Sequence, residues 1–466
     1  MLNYWASMRT GGGNQARGNV LLLVLSYALY TQWNPVATLV LLYVTLVTFC
    51  GALIVEKRKG DNTKSLVVIF ALLAIFPLLV FKYYSFLANS ISDFFSLTGF
   101  SMKLPGLNWA IPLGLSFFTF QAVGYLLDVY KHRIVAEKNW WDYMLFVSFF
   151  PQILSGPISK ASELLPQIKE KRLLNEQQVI EGFKLLLWGM FMKTCMADRL
   201  GIYVDSVYDN YAYNSGLTCL LASFAYTMQI YGDFAGYSLM AVGVGKTLGF
   251  ELVNNFCRPY LAISITDFWK RWHLSLTRWL TTHIYINLGG NRCSKARQYM
   301  NIMVTFLVSG LWHGANWTFV LWGVIHGGLQ IIEKVLGLDP KGKTSSKFFA
   351  IKGMSLVRIA LTFLIVNFAW IFFRSPDICT AMSIIERITV DNRLIVTTGI
   401  GVSTIIFFLP LIMVIVKEVL DECAPGRFKL MDSKYTIVRW SSYFSLMVLI
   451  LLFGVLDSSN FIYVSF

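Results

Sequence analysis

Residues 299–336 form one apolar run, YMNIMVTFLVSGLWHGANWTFVLWGVIHGGLQIIEKVL. This run is nearly twice as long as the roughly 20 residues that one membrane-spanning helix needs. Its centre, Ser309–Trp317 (SGLWHGANW), combines two glycines with three polar side chains, which predicts a break between two half-helices. Non-helical backbone at membrane depth is tolerated only where it is buried in protein or lines a cavity. We therefore expect His313 to lie deep in the membrane, at a helix break beside a cavity.

The composition of the whole chain is that of an integral membrane protein. Of its 466 residues, 56% are hydrophobic and 14% are charged, whereas a soluble domain usually carries about 25% charged residues. We predict a polar segment at 1–18, with no cleavable signal peptide, and a single transmembrane domain at 19–466. The fold class is thus an all-α polytopic membrane protein of about 10–12 membrane segments. The apolar runs lie near residues 19–33, 35–55, 65–88, 107–130, 141–158, 179–198, 216–245, 299–336, 355–373, 396–417 and 437–455.

The net charge of +14 helps to orient the chain in the membrane. Lys and Arg collect in cytoplasmic loops and contact anionic lipid there, so the charge does not indicate nucleic-acid binding. Basic clusters follow the second, fourth, fifth and eighth runs and precede the last. If all of them face the cytoplasm, the N-terminus is cytoplasmic, the C-terminus is extracytoplasmic, and runs 141–158 and 299–336 begin and end on the cytoplasmic side. The first of these two contains Pro151, Gly156 and Pro157, so we interpret it as a re-entrant or broken segment.

Residues 246–298 are polar, basic and rich in aromatic side chains, and we assign them to the cytoplasm or the membrane interface. Aromatic and small residues recur every three or four positions from Thr266 to Leu280, which predicts an amphipathic helix capped by Thr266 or Asp267. Two compatible interpretations follow. The helix is interfacial, with its tryptophans at the lipid headgroups, or the region is a basic platform for an anionic acyl donor. The candidate donor-binding residues are Arg258, Arg271 and Arg278.

Of the five histidines, His313 is the strongest candidate for chemistry, because a neutral imidazole takes up protons near pH 7. On a continuous helix His326 would lie about 20 Å further along the axis and on another face, so we interpret it as a packing residue. Asp233, in the run 216–245, is costly to bury unless it is paired or functional. The seven cysteines lack the spacing of a zinc site or a disulfide framework, so we predict no metal site. The residues alone indicate a membrane protein with a buried histidine site.

Three motifs resemble the membrane-bound O-acyltransferase (MBOAT) family, and in particular its bacterial branch of alginate and peptidoglycan O-acetylases. They are TDFWKRWHLSLTRWL at 266–280, NLGGNR at 287–292 and GLWHGANW at 310–317. Further blocks agree with this branch and occur in the expected order from about residue 20 to the C-terminus. These blocks are 112–121, 148–152, 155–158, 233–238, 368–374 and the aromatic end at 460–466.

The resemblance implies a helical core with a central funnel or tunnel, in which a thin partition separates a cytoplasmic donor tunnel from an external acceptor funnel. It implies that His313 is catalytic and that His273 is the second important histidine. Trp312, Asn316 and Asp233 are then supporting residues that position groups or stabilise an oxyanion. Relatives often begin with an additional apolar segment. This chain has the polar segment 1–18 instead, so we expect its external end or its partner contact to differ.

By the same resemblance, we expect a membrane O-acyltransferase of the inner (cytoplasmic) membrane. It would take an acetyl group from a cytoplasmic thioester, acetyl-CoA or another acyl donor, without a tightly bound cofactor. An extracytoplasmic partner of the SGNH acetyltransferase type would then receive the group, for O-acetylation of a cell-surface or exported glycan. His313 would act as the general base or briefly hold the acyl group itself.

The sequence leaves other functions open. Within the family the main alternative is D-alanyl transfer to teichoic acid, although GLWHGANW followed by Leu321-Trp322-Gly323 favours the acetylase branch. In a different class, a transporter or lipid flippase would use the buried histidines and Asp233 as a proton relay. A scaffold of a glycan-export complex would have no activity of its own. A transporter or a scaffold would not consume acetyl-CoA.

Overall fold

Helices account for every regular element in the part of the chain that the structure describes. The computed structural model describes residue 4 and residues 14–58, 62–99, 104–106, 109–338, 353–396, 402–424, 426 and 430–455. The all-α fold class is confirmed. The aromatic end at 460–466 and most of the polar segment 1–18 lie outside the described residues.

The helices follow the apolar runs closely, with additional short helices between them. In chain order they are α1 (Asn14–Trp33), α2 (Pro35–Lys57), α3 (Asn62–Leu78), α4 (Tyr84–Leu97), α5 (Leu115–Tyr130), α6 (Trp140–Ser148), α7 (Phe150–Ile153), α8 (Ala161–Lys169), α9 (Glu176–Met190), α10 (Asp198–Tyr208), α11 (Gly216–Thr247), α12 (Ile265–Trp269), α13 (Leu274–Leu280), α14 (Lys295–His313), α15 (Trp317–Val335), α16 (Gly353–Arg374), α17 (Ile378–Val390), α18 (Val402–Cys423) and α19 (Thr436–Phe453). Segments of π-helix occupy Leu79–Tyr83, Phe191–Ala197 and Thr281–Tyr285.

Several helices are long and apolar enough to cross a membrane. Large apolar side chains such as Leu39, Phe76 and Leu451 are exposed on them, which suits contact with lipid. The polytopic membrane class is therefore confirmed. By length and composition, and over the described residues, four stretches qualify: Pro35–Lys57, Thr63–Leu97, Ser355–Arg374 and Thr436–Phe453.

The chain divides into two compact units. The first comprises Met1–Phe183 and Ala241–Val253, and the second comprises Lys184–Met240 and Asn254–Phe466. Helices α9 and α11 contribute residues to both units. The single domain at 19–466 and the interfacial assignment of 246–298 stay predictions.

In the first unit, the run 141–158 is broken, as predicted. Helix α6 ends at Ser148, and Phe149 leaves the helical conformation at ψ 107°. Helix α7 follows with Pro151 in its first turn. Backbone N–H groups in a first turn have no partner within the helix, so the N–H that proline lacks costs no hydrogen bond there. The run 107–130 is less helical than its apolar composition suggests. Gly114 adopts a positive φ of 70°, and α5 begins only after it.

In the second unit, the run 299–336 folds into a hairpin of two packed helices, α14 and α15. Glycines allow the two backbones to approach closely. A Cβ atom added to Gly310 would lie 2.3 Å from the carbonyl oxygen of Phe319, and one added to Gly323 would lie 2.5 Å from that of Phe306. The break predicted at Ser309–Trp317 is confirmed.

The single amphipathic helix predicted from Thr266 to Leu280 is wrong. The segment forms two short helices, α12 and α13, because His273 takes a left-handed backbone conformation between them. The cap is also different: the side chain of Ser264 accepts a hydrogen bond from the Asp267 N–H. Trp272 is fully buried, so the aromatic spacing reflects packing in a protein core.

Candidate active site

His313 is the last residue of α14, and only 2% of its surface is exposed. Three aromatic rings surround its imidazole edge to face. Their centroids lie 4.9 Å away for Trp312, 5.1 Å for Trp322 and 5.2 Å for Phe373. An enclosure of this kind keeps bulk water out and strengthens electrostatic interactions within it. His313 therefore places a polar, proton-accepting ring inside an apolar enclosure at the hairpin break.

Asn316 shapes that break. Its side-chain oxygen accepts a hydrogen bond from the Thr318 N–H at 3.1 Å, which caps the start of α15. Its amide nitrogen donates to the carbonyl oxygen of Pro376 at 2.6 Å. The amide oxygen thus fixes the start of α15, and the amide nitrogen holds the hairpin tip against the segment after α16. Direct stabilisation of an oxyanion by Asn316 stays a prediction.

His273 lies at the junction of α12 and α13 and is fully buried. Its ring centroid lies 4.6 Å from that of Phe234 and 5.6 Å from that of Trp312. Neither short helix is long enough to span a membrane. Burial lowers the pKa of His273 to about 3, because desolvation disfavours the charged imidazolium. The imidazole is therefore neutral at physiological pH.

The start of α12 is held by Glu333, near the end of α15. The two carboxylate oxygens of Glu333 accept hydrogen bonds from the N–H groups of Ile265 at 2.5 Å and Thr266 at 2.9 Å. A carboxylate at a helix N-terminus satisfies unpaired N–H groups and suits the helix dipole. The hairpin that carries His313 thus also anchors the segment that carries His273. Sequence reasoning did not identify Glu333, because only the hairpin brings it to α12.

His326 lies closer to His313 than the sequence interpretation allowed. That interpretation assumed a continuous helix, whereas the hairpin turns α15 back along α14. The rings of both histidines contact Trp322, at 5.1 Å for His313 and 4.8 Å for His326. His326 is fully buried, and its Nδ1 accepts a hydrogen bond from the indole of Trp269 at 3.3 Å. This environment fits the packing role proposed for His326.

Asp233 is buried and forms an ion pair with Lys193 at 2.5 Å. Lys193 also pairs with Asp198 at 2.6 Å, so one partly buried ammonium bridges two carboxylates. The expectation that a deep aspartate is paired is confirmed in the structure. The next residue, Phe234, contacts His273. A supporting role for Asp233 in chemistry stays a prediction, and Lys193 was missed although it lies within the apolar run 179–198.

Two of the three candidate donor-binding arginines are engaged in ion pairs. Arg258 and Arg271 bind separate oxygens of Glu422, at 3.2 Å for Arg271. Arg271 also pairs with Asp267 at 3.1 Å. The basic platform is thus locally neutralised, since two carboxylates accompany two guanidinium groups. Arg278 is half-buried on α13. Donor binding by these arginines stays a prediction.

Known proteins resemble this chain over most of its length. The model of the membrane-bound O-acyltransferase family matches residues 135–338, which include both His273 and His313. A probable alginate O-acetylase AlgI from Pseudomonas syringae pv. tomato is 33% identical over 409 residues, or 84% of this chain and 76% of the relative. A peptidoglycan O-acetyltransferase from Helicobacter pylori is 33% identical over 395 residues, or 78% of this chain and 72% of the relative.

A teichoic acid D-alanyltransferase from Streptococcus thermophilus is less similar, with 28% identity over 253 residues. This match covers 50% of the present chain and 59% of the relative. The acetylases match at higher identity and over more of both chains, as the motif at 310–317 suggested. From these similarities, this multi-pass membrane chain belongs to the membrane-bound O-acyltransferase family and is an acyltransferase.

Proposed function

We propose that the chain O-acetylates a cell-surface or exported polysaccharide, with acetyl-CoA as the cytoplasmic donor. The observation that carries this proposal is the burial of His313 at the hairpin break, enclosed by Trp312, Trp322 and Phe373. The relatives named as alginate and peptidoglycan O-acetylases support a glycan acceptor.

His313 supplies the base. Its neutral imidazole takes the proton from an acceptor hydroxyl, and the hydroxyl oxygen attacks the thioester carbonyl carbon. The carbon–sulfur bond then breaks, the thiolate of CoA leaves and the imidazolium returns the proton to it. In the alternative route, the imidazole nitrogen itself attacks the thioester, releases CoA and passes the acetyl group on to the hydroxyl. Both routes require that His313 is neutral and shielded from water.

His273 assists as a neutral imidazole. Because burial lowers its pKa to about 3, it does not start the reaction as a charged acid. A neutral imidazole still donates one hydrogen bond, which is enough to stabilise a developing oxyanion or to orient the donor. Its contact with Trp312, which also contacts His313, supports this role.

The membrane orientation follows from charge. The basic clusters between the apolar runs favour a cytoplasmic N-terminus and an extracytoplasmic C-terminus in the cell's inner membrane. The acetyl group then leaves on the outer side. An extracytoplasmic partner of the SGNH acetyltransferase type, or the glycan itself, receives it there.

The decisive experiment incubates radiolabelled acetyl-CoA with membranes that contain the protein and follows the label into polymer. Wild type should transfer label, and His313→Ala should not, although it should reach the membrane in normal amount. His132→Asn is the matched control: His132 is an exposed loop histidine with a φ of 54°, a conformation that Asn tolerates. Full transfer by His313→Ala would refute the assignment of the base. Label from a D-alanyl carrier thioester in place of acetyl-CoA would instead favour D-alanyl transfer.

A further inference from the structure

His273 occupies a backbone conformation that its own side chain does not support. It is the cap residue of α13, at φ 44° and ψ 55°, in the left-handed region that is costly for any residue with a Cβ atom. A cap residue normally uses its side chain to accept from the first N–H groups of the helix. The His273 side chain makes no such bond. A strained conformation of this kind persists only where neighbouring groups impose it.

Asn255 supplies the missing hydrogen bonds. Its backbone oxygen accepts from the Leu274 N–H at 2.9 Å, and its side-chain oxygen accepts from the Ser275 N–H at 3.2 Å. On the other side of the turn, the Cys257 N–H donates to the backbone oxygen of Arg271 at 2.9 Å. The segment 255–257 thus holds the backbone both before and after Trp272-His273. Asn255 itself is 2% exposed, so water does not compete for these bonds.

The same segment also supports the ring of His273 through an intermediate contact. The ring of Phe256 lies 5.0 Å from those of Phe234 and Trp272. Phe234 in turn contacts the imidazole of His273. Residues 255 and 256 therefore act on His273 by two routes, through its backbone and through its aromatic neighbour.

We propose that Asn255 is a positioning residue for His273, because it caps α13 in place of the histidine. Capping by Asn255 leaves the imidazole to face Phe234 and Trp312 rather than the N-terminus of its own helix. The catalytic consequence rests on the proposed function, in which His273 assists acetyl transfer. The positional consequence, a fixed turn at 272–275, does not depend on the proposed function.

The first test compares a variant that removes the side-chain acceptor of Asn255 with one that keeps it. Asn255→Leu keeps the size but removes the acceptor, whereas Asn255→Asp keeps an acceptor oxygen that suits a helix N-terminus. We expect kcat to fall by about tenfold or more in Asn255→Leu, with KM for acetyl-CoA unchanged, and to recover in Asn255→Asp. If Asn255→Leu does not accumulate in the membrane, Asn255→Ala takes its place. Wild-type kcat in the variant that lacks the acceptor would overturn the proposal.

The control for a purely structural effect is Asn367→Leu. Asn367 is a buried amide in α16 that hydrogen-bonds to Thr227 and Ser223 of α11. We expect it to lower the unfolding temperature while the activity of each folded molecule stays near wild type. An equal loss of kcat in both variants would mean that any buried amide has this effect, and would overturn the specific role of Asn255.

A double-mutant cycle tests whether Asn255 acts through His273. If it does, adding Asn255→Leu to His273→Ala should cause no further loss of activity. If the double variant instead loses activity by the product of the two single losses, the proposal is contradicted.

Amide hydrogen exchange provides a readout that needs no activity. Asn255→Leu should speed exchange at Ser275, whose N–H loses its side-chain acceptor, while Asn255→Asp and Asn367→Leu should leave it unchanged at this amide. Unchanged exchange in Asn255→Leu would overturn the positional claim. If wild type fails to transfer acetyl groups from acetyl-CoA, the proposed function fails, and the exchange data still decide whether Asn255 holds the turn.

Discussion

His273 and His313 place their imidazole rings against one indole, that of Trp312. The centroid of the Trp312 ring lies 5.6 Å from that of His273 and 4.9 Å from that of His313. One histidine comes from a strained turn between two short helices, and the other ends the first helix of the hairpin. One indole therefore contacts both candidate histidines, which come from separate motifs.

Trp312 should contribute to both the stability and the activity of the protein. Trp312→Leu removes most of the indole and should destabilise the fold by about 2–4 kcal/mol, as for other large-to-small changes in a core. It should also lower kcat more than Trp312→Phe does, because Phe keeps a flat ring between the histidines. The measurement is acetyl transfer per folded molecule. Equal activity in both variants would show that the ring does not set the histidine geometry.

His326 should behave as a packing residue. His326→Ala leaves the buried indole N–H of Trp269 without its acceptor, which should cost about 1–3 kcal/mol of stability. The activity of the protein that still folds should stay near wild type. Thermal unfolding in detergent and specific activity separate the two effects. If His326→Ala folds but is inactive, His326 takes part in catalysis and is not only a packing residue.

Glu422 should compete with the donor for its arginines. Glu422→Gln removes the charge that binds Arg258 and Arg271, so KM for acetyl-CoA should fall. Arg271→Ala should raise it. Asp421→Asn is the control, because Asp421 carries the same charge one residue away and pairs with Lys417. If Glu422→Gln and Asp421→Asn leave KM equally unchanged, the donor phosphates bind elsewhere.

Lys193 should be structurally essential. Lys193→Met leaves Asp198 and Asp233 buried without their cation, which should cost about 3–5 kcal/mol of stability. Adding Asp233→Asn should recover part of that loss. Lys184→Met is the control, since Lys184 pairs with the half-exposed Asp432 and should cost about 0–1 kcal/mol. If Lys193→Met unfolds at the wild-type temperature but is inactive, the lysine and its aspartates serve the chemistry instead.

The hairpin should not tolerate a methyl group at its contact glycines. In Gly323→Ala the new Cβ would lie 2.5 Å from the carbonyl oxygen of Phe306, so α14 and α15 must separate. We expect loss of folded protein and of activity. Gly328→Ala lies on the same helix with nothing within 4 Å of its Cβ, so it should be neutral. The measurement is the yield of folded protein from detergent extraction for each of the two variants. Equal yields would contradict tight packing at Gly323.

The hairpin break and the membrane class were predictable because they depend on local properties of the chain. Run length, glycine placement and charge distribution are read directly along the sequence, and they located the break around His313. The helix from Thr266 to Leu280 was predicted wrongly for a related reason. Periodicity reports which side chains are buried, but it does not report that His273 adopts a left-handed conformation imposed by Asn255 from outside the segment.

The helical membrane fold was evident from hydropathy along the chain, and the motifs indicated the family and the two candidate histidines. The packing of the helices established which groups those residues meet. It paired Asp233 with Lys193, occupied two arginines with Glu422 and brought both histidines to Trp312. Hydropathy and helix breaks are properties of neighbouring residues, whereas ion pairs and ring contacts join residues far apart in the chain. These contacts exist only once the helices have packed.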